Sequence, residues 1–500
     1  MADALSVCFN FEPTSPNIKS NLELDRHIRN HVNAVSHIPS SAFLKNIDTP
    51  QDFLEILNPS VNSIPYAFAL FHRTQTHDWP KGPKSVPDTF RPGGASWGKL
   101  VEFLDSFDPV QMRYIGDVWR RLVEYCDRVA RVMGTPGMAI SPVRSAMLQL
   151  DPSTGTFTSN HLQFMRTCLE AGSYTAALPI LDSYIYNLPQ NIAKALIEIE
   201  GSVPCAETST SSDFITTRSG HSEKITLSDL HEYYMLGAIA YIGARKFKQA
   251  LLFLEHILIT PTANIANGIM WEAYKKWVIL GCLVNGVPSA IPRTANSNAM
   301  KQIRTASKAY DALTEAFQAQ GSKLRAQAEV GVQTWAEDGN TGLVSELVDH
   351  QMRLAVSKLK DTYSAIPLTH VAKFLGFSMQ EAEAYVRTLV ARGYLNASLD
   401  HTPGPNGTLV LRFYTDLTEG PLAKSEKEQH LELLQQTART NKLAEQVKAA
   451  DYRLTLNKDY LEHVRRLNKK AAANAASGDA MDVTWDEQEP EEDIMGDLIM

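Results

Sequence analysis

Apolar residues recur at every third or fourth position along most of this chain, which is the spacing of one face of an α-helix. Stretches with this spacing lie at 99–107, 110–133, 162–171, 230–242, 271–284, 303–320, 324–336 and 343–360. An amphipathic helix must bury its apolar face against a neighbour. So long a series therefore predicts helices that pack on one another.

A short pattern occurs twice and indicates that these helices form repeats. Its first copy is Tyr174, Ala177, Leu178 and Leu181, and its second copy is Phe247, Ala250, Leu251 and Leu254. An aromatic residue that enters the second helix of a pair, and a small Ala where helices approach closely, are typical of tetratricopeptide-type repeats. We therefore predict paired helices, and we expect one of them to extend from Tyr174 to Leu188 with a kink or a late start at Pro179.

A different pattern begins at Leu354, where two short helical segments occupy 354–363 and 366–375. Ser378 then stands three residues before Glu381, which is the spacing of a capping box and predicts the start of a third helix. Gly393 is suited to end that helix, because glycine readily adopts the left-handed conformation at a helix C-terminus.

Two strand-like stretches follow the three helical segments. They are Tyr394 to Leu399 and Thr408 to Phe413, and a turn rich in Pro and Gly joins them. Three helices followed by a hairpin are the order of a winged helix. The sequence therefore predicts a mainly α fold, in which a helical-repeat solenoid precedes a winged helix and C-terminal helices.

Six regions follow from these patterns and from the composition between them. They are N-terminal helices at 1–72, a flexible exposed loop at 73–98, helical repeats at 99–342, the winged helix at 343–420, C-terminal helices at 421–470 and a disordered acidic tail at 471–500.

The segment 426–456 has apolar residues at intervals of three to five, which is close to a heptad repeat. Asn457 is a predicted N-cap for a last helix that reaches Leu467. Either a partner helix or the body of the same chain could cover the apolar stripe. The candidate partner contacts on it are Leu431, Leu434, Val447 and Leu454.

The formal charge of −8 comes from one end of the chain. Residues 479–497 contain nine Asp and Glu and no Lys or Arg, so the remaining body carries a charge of about +1. A protein that binds nucleic acid in general needs a clustered basic surface. The near-neutral body argues against such a partner.

Five cysteines, an odd number spread far apart, fit neither a disulfide framework nor a zinc site. We therefore predict buried free thiols. No apolar run is long enough to span a membrane, and no secretory signal is visible at the N-terminus. These features lead us to expect an intracellular protein with no membrane partner.

Residue types that could support catalysis occur in the wrong context. Ser96 lies in a Gly-x-Ser-x-Gly pattern, but no strand precedes it as a nucleophile elbow requires. His231 lacks a second ligand one turn on, since position 235 is Met. His27 and His31 lack a third ligand. We therefore predict no metal, no cofactor and no enzymatic activity for this chain alone.

A winged helix can bind DNA through its third helix, and this is an alternative function. That helix has no net charge, and its carboxylates, Glu381 and Glu383, lie at the N-terminal end where phosphates would approach. We instead predict that the second strand pairs through its edge with a strand of another subunit, unless this chain's own C-terminal helix covers the hairpin. The candidate contacts are Thr408, Leu409, Val410, Leu411, Arg412 and Phe413.

The order of repeats and winged helix resembles the PCI-domain family, which occurs in the proteasome lid, the COP9 signalosome and translation initiation factor three. The motifs that carry the resemblance are Glu346-Leu347-Val348, Ile366-Pro367-Leu368, Gly376-Phe377-Ser378-Met379-Gln380-Glu381 and Arg392-Gly393-Tyr394-Leu395-Asn396-Ala397. Within that family the chain is most similar to the third subunits of the COP9 signalosome. The stretches that carry this closer similarity are Ala177 to Asp182, Glu272 to Lys276 and Leu456 to Tyr460.

This resemblance covers about residues 100–470 and implies a non-catalytic scaffold subunit. In such a complex, which deneddylates cullins and thereby regulates cullin-RING ubiquitin ligases, the zinc isopeptidase is a separate MPN-domain subunit. The implied partners are other PCI-domain and MPN-domain subunits and, indirectly, cullin-RING ligases. A PCI scaffold subunit of the proteasome lid is the nearest alternative.

Overall fold

The computed structural model describes residues 2–11, 20–45, 52–76, 79–191, 204–207, 210–260, 265–319, 323–401, 408–416 and 418–455, and residues 462, 465, 466 and 469. Asn457, most of the predicted last helix and the acidic tail lie outside the described residues. The chain divides into one unit of residues 1–192 and 202–438 and a second unit of residues 193–201 and 439–500.

Helices dominate the first unit, which confirms the predicted mainly α fold. Its first ten helices are α1 Ala2–Phe9, α2 Asn21–Ser36, α3 Ser40–Phe43, α4 Phe53–Ile56, α5 Ser63–Gln75, α6 Ala95–Ser106, α7 Pro109–Met112, α8 Gly116–Val132, α9 Gly137–Leu150 and α10 Ser159–Glu170. The next ten are α11 Leu178–Leu181, α12 Ser211–Phe214, α13 Leu227–Gly243, α14 Phe247–Ile259, α15 Gly268–Asn285, α16 Ser297–Ala306, α17 Lys308–Gln318, α18 Lys323–Val330, α19 Val332–Glu337 and α20 Thr341–Lys358.

The second copy of the repeat pattern forms the predicted helix pair. Thr226 begins α13 through a capping box with Asp229, and α14 follows after a turn. Ala250 and Leu254 of α14 are fully buried. A Cβ atom added to Gly237 would lie 2.7 Å from the ring of Phe253, so α13 and α14 approach more closely there than any other residue would allow.

The first copy behaves differently, and the predicted helix from Tyr174 to Leu188 is wrong. A single 3₁₀ turn, Tyr174–Ala177, leads into α11, which already ends at Leu181. Pro179 occupies the first turn of α11, where its missing N–H costs no hydrogen bond. The late start at Pro179 was therefore correct, and the extension beyond Leu181 was not.

Residues 73–98 differ from the predicted exposed loop. Helix α5 continues to Gln75, two 3₁₀ turns occupy Pro83–Ser85 and Asp88–Phe90, and α6 begins at Ala95. Val86, Phe90 and Trp97 are buried, and the Phe90 ring lies 5.2 Å from that of Tyr125. Pro and Gly correctly indicated a lack of long helices, but the apolar residues between them pack into the core.

The winged helix follows α20 and a 3₁₀ turn, Leu359–Asp361. Its elements are β1 Ala365–Pro367, α21 Leu368–Leu375, α22 Met379–Ala391, β2 Ala397–His401 and β3 Leu409–Phe413. The last helix, α23, is Glu426–Thr455. Helix α20 joins two separate cores, since Val344 and Leu347 belong to the core of the repeats whereas Val356 belongs to that of the winged helix.

Candidate assembly surfaces

The third helix of the winged helix begins as its sequence predicts. The hydroxyl of Ser378 accepts a hydrogen bond from the amide of Glu381 at 3.3 Å, and the Glu381 carboxylate accepts one from the amide of Ser378 at 2.9 Å. Gly376, which ends α21, has a φ of 70°, a conformation that favours glycine. These two local signals fix α21 and α22, which pack on the sheet.

The position of β3 contradicts our prediction that this strand presents a free edge. The strand order is β1-β3-β2, so β3 is the central strand and pairs antiparallel with both neighbours. Val410, for example, lies opposite Pro367 on one side and Asp400 on the other. Thr408 to Phe413 can therefore contact a partner through side chains, but not by adding a strand at β3.

The missed element is β1, because Ile366, Pro367 and Leu368 were interpreted as the start of a helix. Proline fixes its own φ and disfavours the helical conformation of the residue before it, so Ile366 is extended. The amide of Phe413 donates to Ser364 at 2.9 Å, which begins the pairing of β3 with β1. A three-residue strand is too short to show any alternation of apolar and polar residues.

The free backbone groups of this sheet belong to its outer strands. The amide of Tyr414 donates to Asn396 at 2.9 Å, and antiparallel alternation then directs Ser398 and Asp400 toward β3. The N–H and C=O groups of Ala397, Leu399 and His401 consequently point away from β3. Strand β1 offers fewer free backbone groups, since Pro367 has no N–H. The edge of β2 is the better candidate for strand addition.

Helix α22, which would enter DNA in the alternative function, carries one cation, Arg387, and that cation is paired. Glu383 pairs with Arg387 at 2.8 Å, and Glu381 is engaged in its capping box. With two carboxylates and one Arg the helix has a net charge of −1, and both carboxylates lie near its N-terminal end. Phosphate would be repelled at that end, so the structure gives no support to DNA recognition.

A charged cluster fixes the winged helix on the repeats. Glu346 of α20 accepts hydrogen bonds from Arg245 at 2.8 Å and from Arg353 at 2.7 Å. Burial raises the pKa of Glu346, but these hydrogen bonds outweigh burial and lower its pKa below the usual value. The Arg353 guanidinium also lies 4.6 Å from the centre of the Tyr394 ring, just before β2.

This cluster, Arg245, Glu346, Arg353 and Tyr394, was not predicted from the sequence. Arg245 lies in the turn between α13 and α14 with a φ of 61°, which non-glycine residues seldom adopt. The hydrogen bond from Arg245 to Glu346 joins residues 101 positions apart, and no local sequence pattern indicates it. The cluster links a repeat, the shared helix α20 and the winged helix.

Helix α23, Glu426–Thr455, confirms the helix predicted at 426–456 as far as the structure describes it, and its apolar residues are exposed. The exposed fractions of the four candidate contacts are 56 % for Leu431, 55 % for Leu434, 56 % for Val447 and 40 % for Leu454. No residue of this helix is buried. Leu431 and Leu434 belong to the first unit, and Val447 and Leu454 belong to the second. Whether a partner covers these residues stays a prediction.

None of the residues that were considered for catalysis lies in the surroundings that the corresponding chemistry requires. Ser96 is buried in the first turn of α6, not on a strand-to-helix elbow. His231 is buried and hydrogen-bonds Asn267 at 3.0 Å. His31 is buried against Phe11, whereas His27 is exposed. Among the described residues no group of three or more His, Cys, Asp or Glu could hold a metal.

The predicted free thiols are confirmed, with Cys8, Cys126, Cys168 and Cys282 buried and Cys205 partly exposed. Burial raises the pKa of Cys8 and Cys282 to about 12, so these thiols stay protonated and unreactive. In the part of the chain that the structure describes, no helix is long and apolar enough to cross a membrane.

The helical repeats share helix α20 with the winged helix, whose three-stranded sheet has β3 at its centre. This architecture defines a PCI-type scaffold protein. Residues 329–413 match the family model of the PCI domain. Residues 27–300 match the model described as "COP9 signalosome complex subunit 3, N-terminal helical repeats", and the chain belongs to this family.

Two relatives support the same assignment. The chain is 32 % identical over 450 residues to COP9 signalosome complex subunit 3 of Emericella nidulans, which covers 89 % of each chain. It is 24 % identical over 479 residues to COP9 signalosome complex subunit 3 of Neurospora crassa, which covers 90 % of each chain. The family resemblance inferred from the sequence is therefore confirmed.

Proposed function

We propose that this chain is a non-catalytic scaffold subunit of the COP9 signalosome, the complex that deneddylates cullins and so regulates cullin-RING ubiquitin ligases. The observation that carries the proposal is the family match, which extends through both the helical repeats and the PCI domain. The partners are other PCI-domain subunits and the MPN-domain subunit that holds the isopeptidase, in the cytoplasm and nucleus. The chain itself holds substrate-processing subunits together and performs no chemical step.

Purification of the tagged full-length chain from its own cells tests this proposal. We expect mass spectrometry to identify an MPN-domain metalloprotease and several PCI-domain proteins in stoichiometric amounts. The purified complex should remove the modifier from a cullin, whereas the isolated chain should not. Recovery of proteasome ATPases in place of these proteins would move the chain to the proteasome lid.

The contact itself is proposed to use the outer edge of β2. The Leu399 amide points away from β3, so the Leu399→Pro substitution removes an outward donor and leaves the pairing of β2 with β3 intact. Leu399→Ala is the matched control, because it shortens the side chain and keeps the amide. We expect the proline variant to lose its PCI-domain neighbour and the alanine variant to retain it. Equal assembly of both variants would exclude strand addition at β2.

A further inference from the structure

A stretch of the chain before the winged helix contains no carboxylates. Residues 273–310 include six Lys and Arg and no Asp or Glu, although acidic residues make up 56 of the 500 in the chain. Lys275 and Lys276 of this stretch are neutralised by Glu272, and Lys275 also pairs with Asp338. The other four cations are Arg293, Lys301, Arg304 and Lys308.

These four side chains line a single open cavity of about 570 Å³. They come from the loop that follows α15 and from helices α16 and α17. We call this site the basic cavity, and besides the four cations its lining includes Asp311 and the apolar residues Ile291, Pro292, Ala295 and Met300. Four cations and one carboxylate therefore surround the same space.

The single carboxylate of the basic cavity is already engaged. Asp311 accepts a hydrogen bond from the hydroxyl of Tyr274 at 2.7 Å and one from Arg304 at 3.4 Å. Among the described residues, Arg293, Lys301 and Lys308 have no ion-pair partner, and all three are exposed. Like charges held together without a counter-charge repel one another, so an anionic ligand would relieve that repulsion.

The apolar part of the lining narrows the chemistry of that ligand. It consists of Ile291, Pro292, Ala295 and Met300, and Ile291 is 37 % exposed. A nucleic acid needs cations along an extended track, and a small phosphate compound would leave the apolar lining uncovered. A protein segment can use both parts of the lining, since its apolar side chain covers the apolar residues while its carboxylates meet the cations.

We propose that the basic cavity binds an acidic segment of another protein, in which Asp or Glu residues surround one apolar side chain. This contact is separate from the winged helix and from α23, so it goes beyond the assembly function proposed above. Its strength depends on exposed charges, which salt screens with a length of about 8 Å at physiological ionic strength. The affinity should therefore fall steeply as salt is added.

Binding of a synthetic peptide to the full-length chain tests the proposal. The probe is a fluorescent peptide of Glu residues around a central Leu, and the comparison peptide has Gln in place of each Glu. We expect fluorescence anisotropy to detect the Glu peptide and to give at least about tenfold weaker binding for the Gln peptide. The affinity for the Glu peptide should also fall at least about tenfold when salt rises from about 50 mM to about 200 mM.

The double substitution Lys301→Glu with Lys308→Glu reverses two charges of the cavity and should weaken binding by at least about tenfold. The matched control is Lys427→Glu with Lys448→Glu on α23, which changes the formal charge equally on an exposed helix and should leave binding unchanged. Equal binding by the two double variants, or tighter binding of tripolyphosphate or of an oligonucleotide than of the Glu peptide, would overturn the proposal. Co-purification with the MPN-domain subunit is measured in parallel, so that a failed assembly is distinguished from a failed contact.

Discussion

The helical repeats and the winged helix bury their apolar residues on very different scales. Among the described residues, the continuous core that extends from the N-terminal helices through the repeats contains 75 buried apolar residues, whereas that of the winged helix contains 13. The two cores meet along α20, which contributes residues to each. Each helix of the repeats is supported by its neighbours, but the winged helix depends on one small core and on the Glu346 cluster.

This difference in core size should make the repeats and the winged helix respond differently to the loss of a side chain. A large continuous core resists the loss of one side chain because the remaining contacts hold the elements in place. A core of 13 residues has little reserve, so its local opening should occur at a lower free energy. The edge of β2, where we propose strand addition, therefore lies on the smaller of the two cores, which should open at a lower free energy.

The largest effect should come from cavities placed in the two cores. Leu254→Ala in α14 and Leu411→Ala in β3 each remove a fully buried side chain and should cost about 3 kcal/mol. Hydrogen exchange should show that Leu411→Ala exposes amides only in the winged helix, because that core is separate. Leu254→Ala should instead lower protection throughout α13, α14 and α15. A uniform loss of protection in both variants would mean that the two cores unfold as one.

Acid should destabilise the repeats through two fully buried histidines. Burial lowers the pKa of His161 and of His221 to about 4. The Nδ1 atom of His161 accepts the amide of Thr158 at 3.1 Å, which requires a neutral ring. In the unfolded chain these rings bind protons below about pH 6.5, so stability is complete above that pH and falls toward pH 4.

The expected loss between about pH 7 and about pH 5 is roughly 2 kcal/mol for each ring. Urea unfolding across this range measures it. His161→Gln keeps a hydrogen-bond acceptor and cannot be protonated, so its stability should depend less on pH. His27→Gln is the control, because it makes the same substitution at an exposed histidine. An unaltered slope in His161→Gln would show that His161 is not responsible.

The Glu346 cluster should contribute more to the free energy of unfolding than an exposed Glu–Arg pair does. Glu346→Gln removes the charge that holds Arg245 and Arg353, and Glu346 and Arg353 are largely buried. We expect a loss of about 1 to 2 kcal/mol, reduced by the exposure of Arg245. Glu383→Gln, which breaks the exposed pair with Arg387, should cost at most about 0.5 kcal/mol.

Cross-linking between cysteines introduced in α14 and β2 would show whether the winged helix also changes its orientation in Glu346→Gln. A broader distribution of cross-links in Glu346→Gln than in Glu383→Gln is expected. Identical distributions would assign the orientation to α20 alone.

Much of the fold could be predicted because its signals are local. The Ser378 capping box and Gly376 each act within one helical turn, and the Phe247 pattern recurs along one helix face. The strand β1 could not be predicted, because three residues show no periodicity and its pairing partner lies 45 positions away. For the same reason β3 was taken for an edge strand. The Glu346 cluster depends on a contact between residues 101 positions apart, which no short pattern encodes. The basic cavity is lined by residues 291–311, and the absence of Asp and Glu from 273 to 310 does not by itself show that its cations line one space.

Two capping boxes have nearly equal geometry, but one begins a packed helix, α22, and the other begins an exposed helix, α23. The amide of Glu381 donates to Ser378 at 3.3 Å, and the amide of Glu428 donates to Ser425 at the same distance. Helix α22 packs on the sheet, whereas α23 has no buried residue. Ser378→Ala should therefore lower the stability of the winged helix by about 1 kcal/mol.

Ser425→Ala should fray the first turn of α23 by a similar local amount and leave the unfolding of the first unit unchanged, since no core depends on that turn. Thermal unfolding followed by hydrogen exchange separates the two outcomes. If Ser425→Ala lowered the unfolding temperature as much as Ser378→Ala does, the start of α23 would have to support the body of the chain, and its apolar residues would be less available to a partner helix.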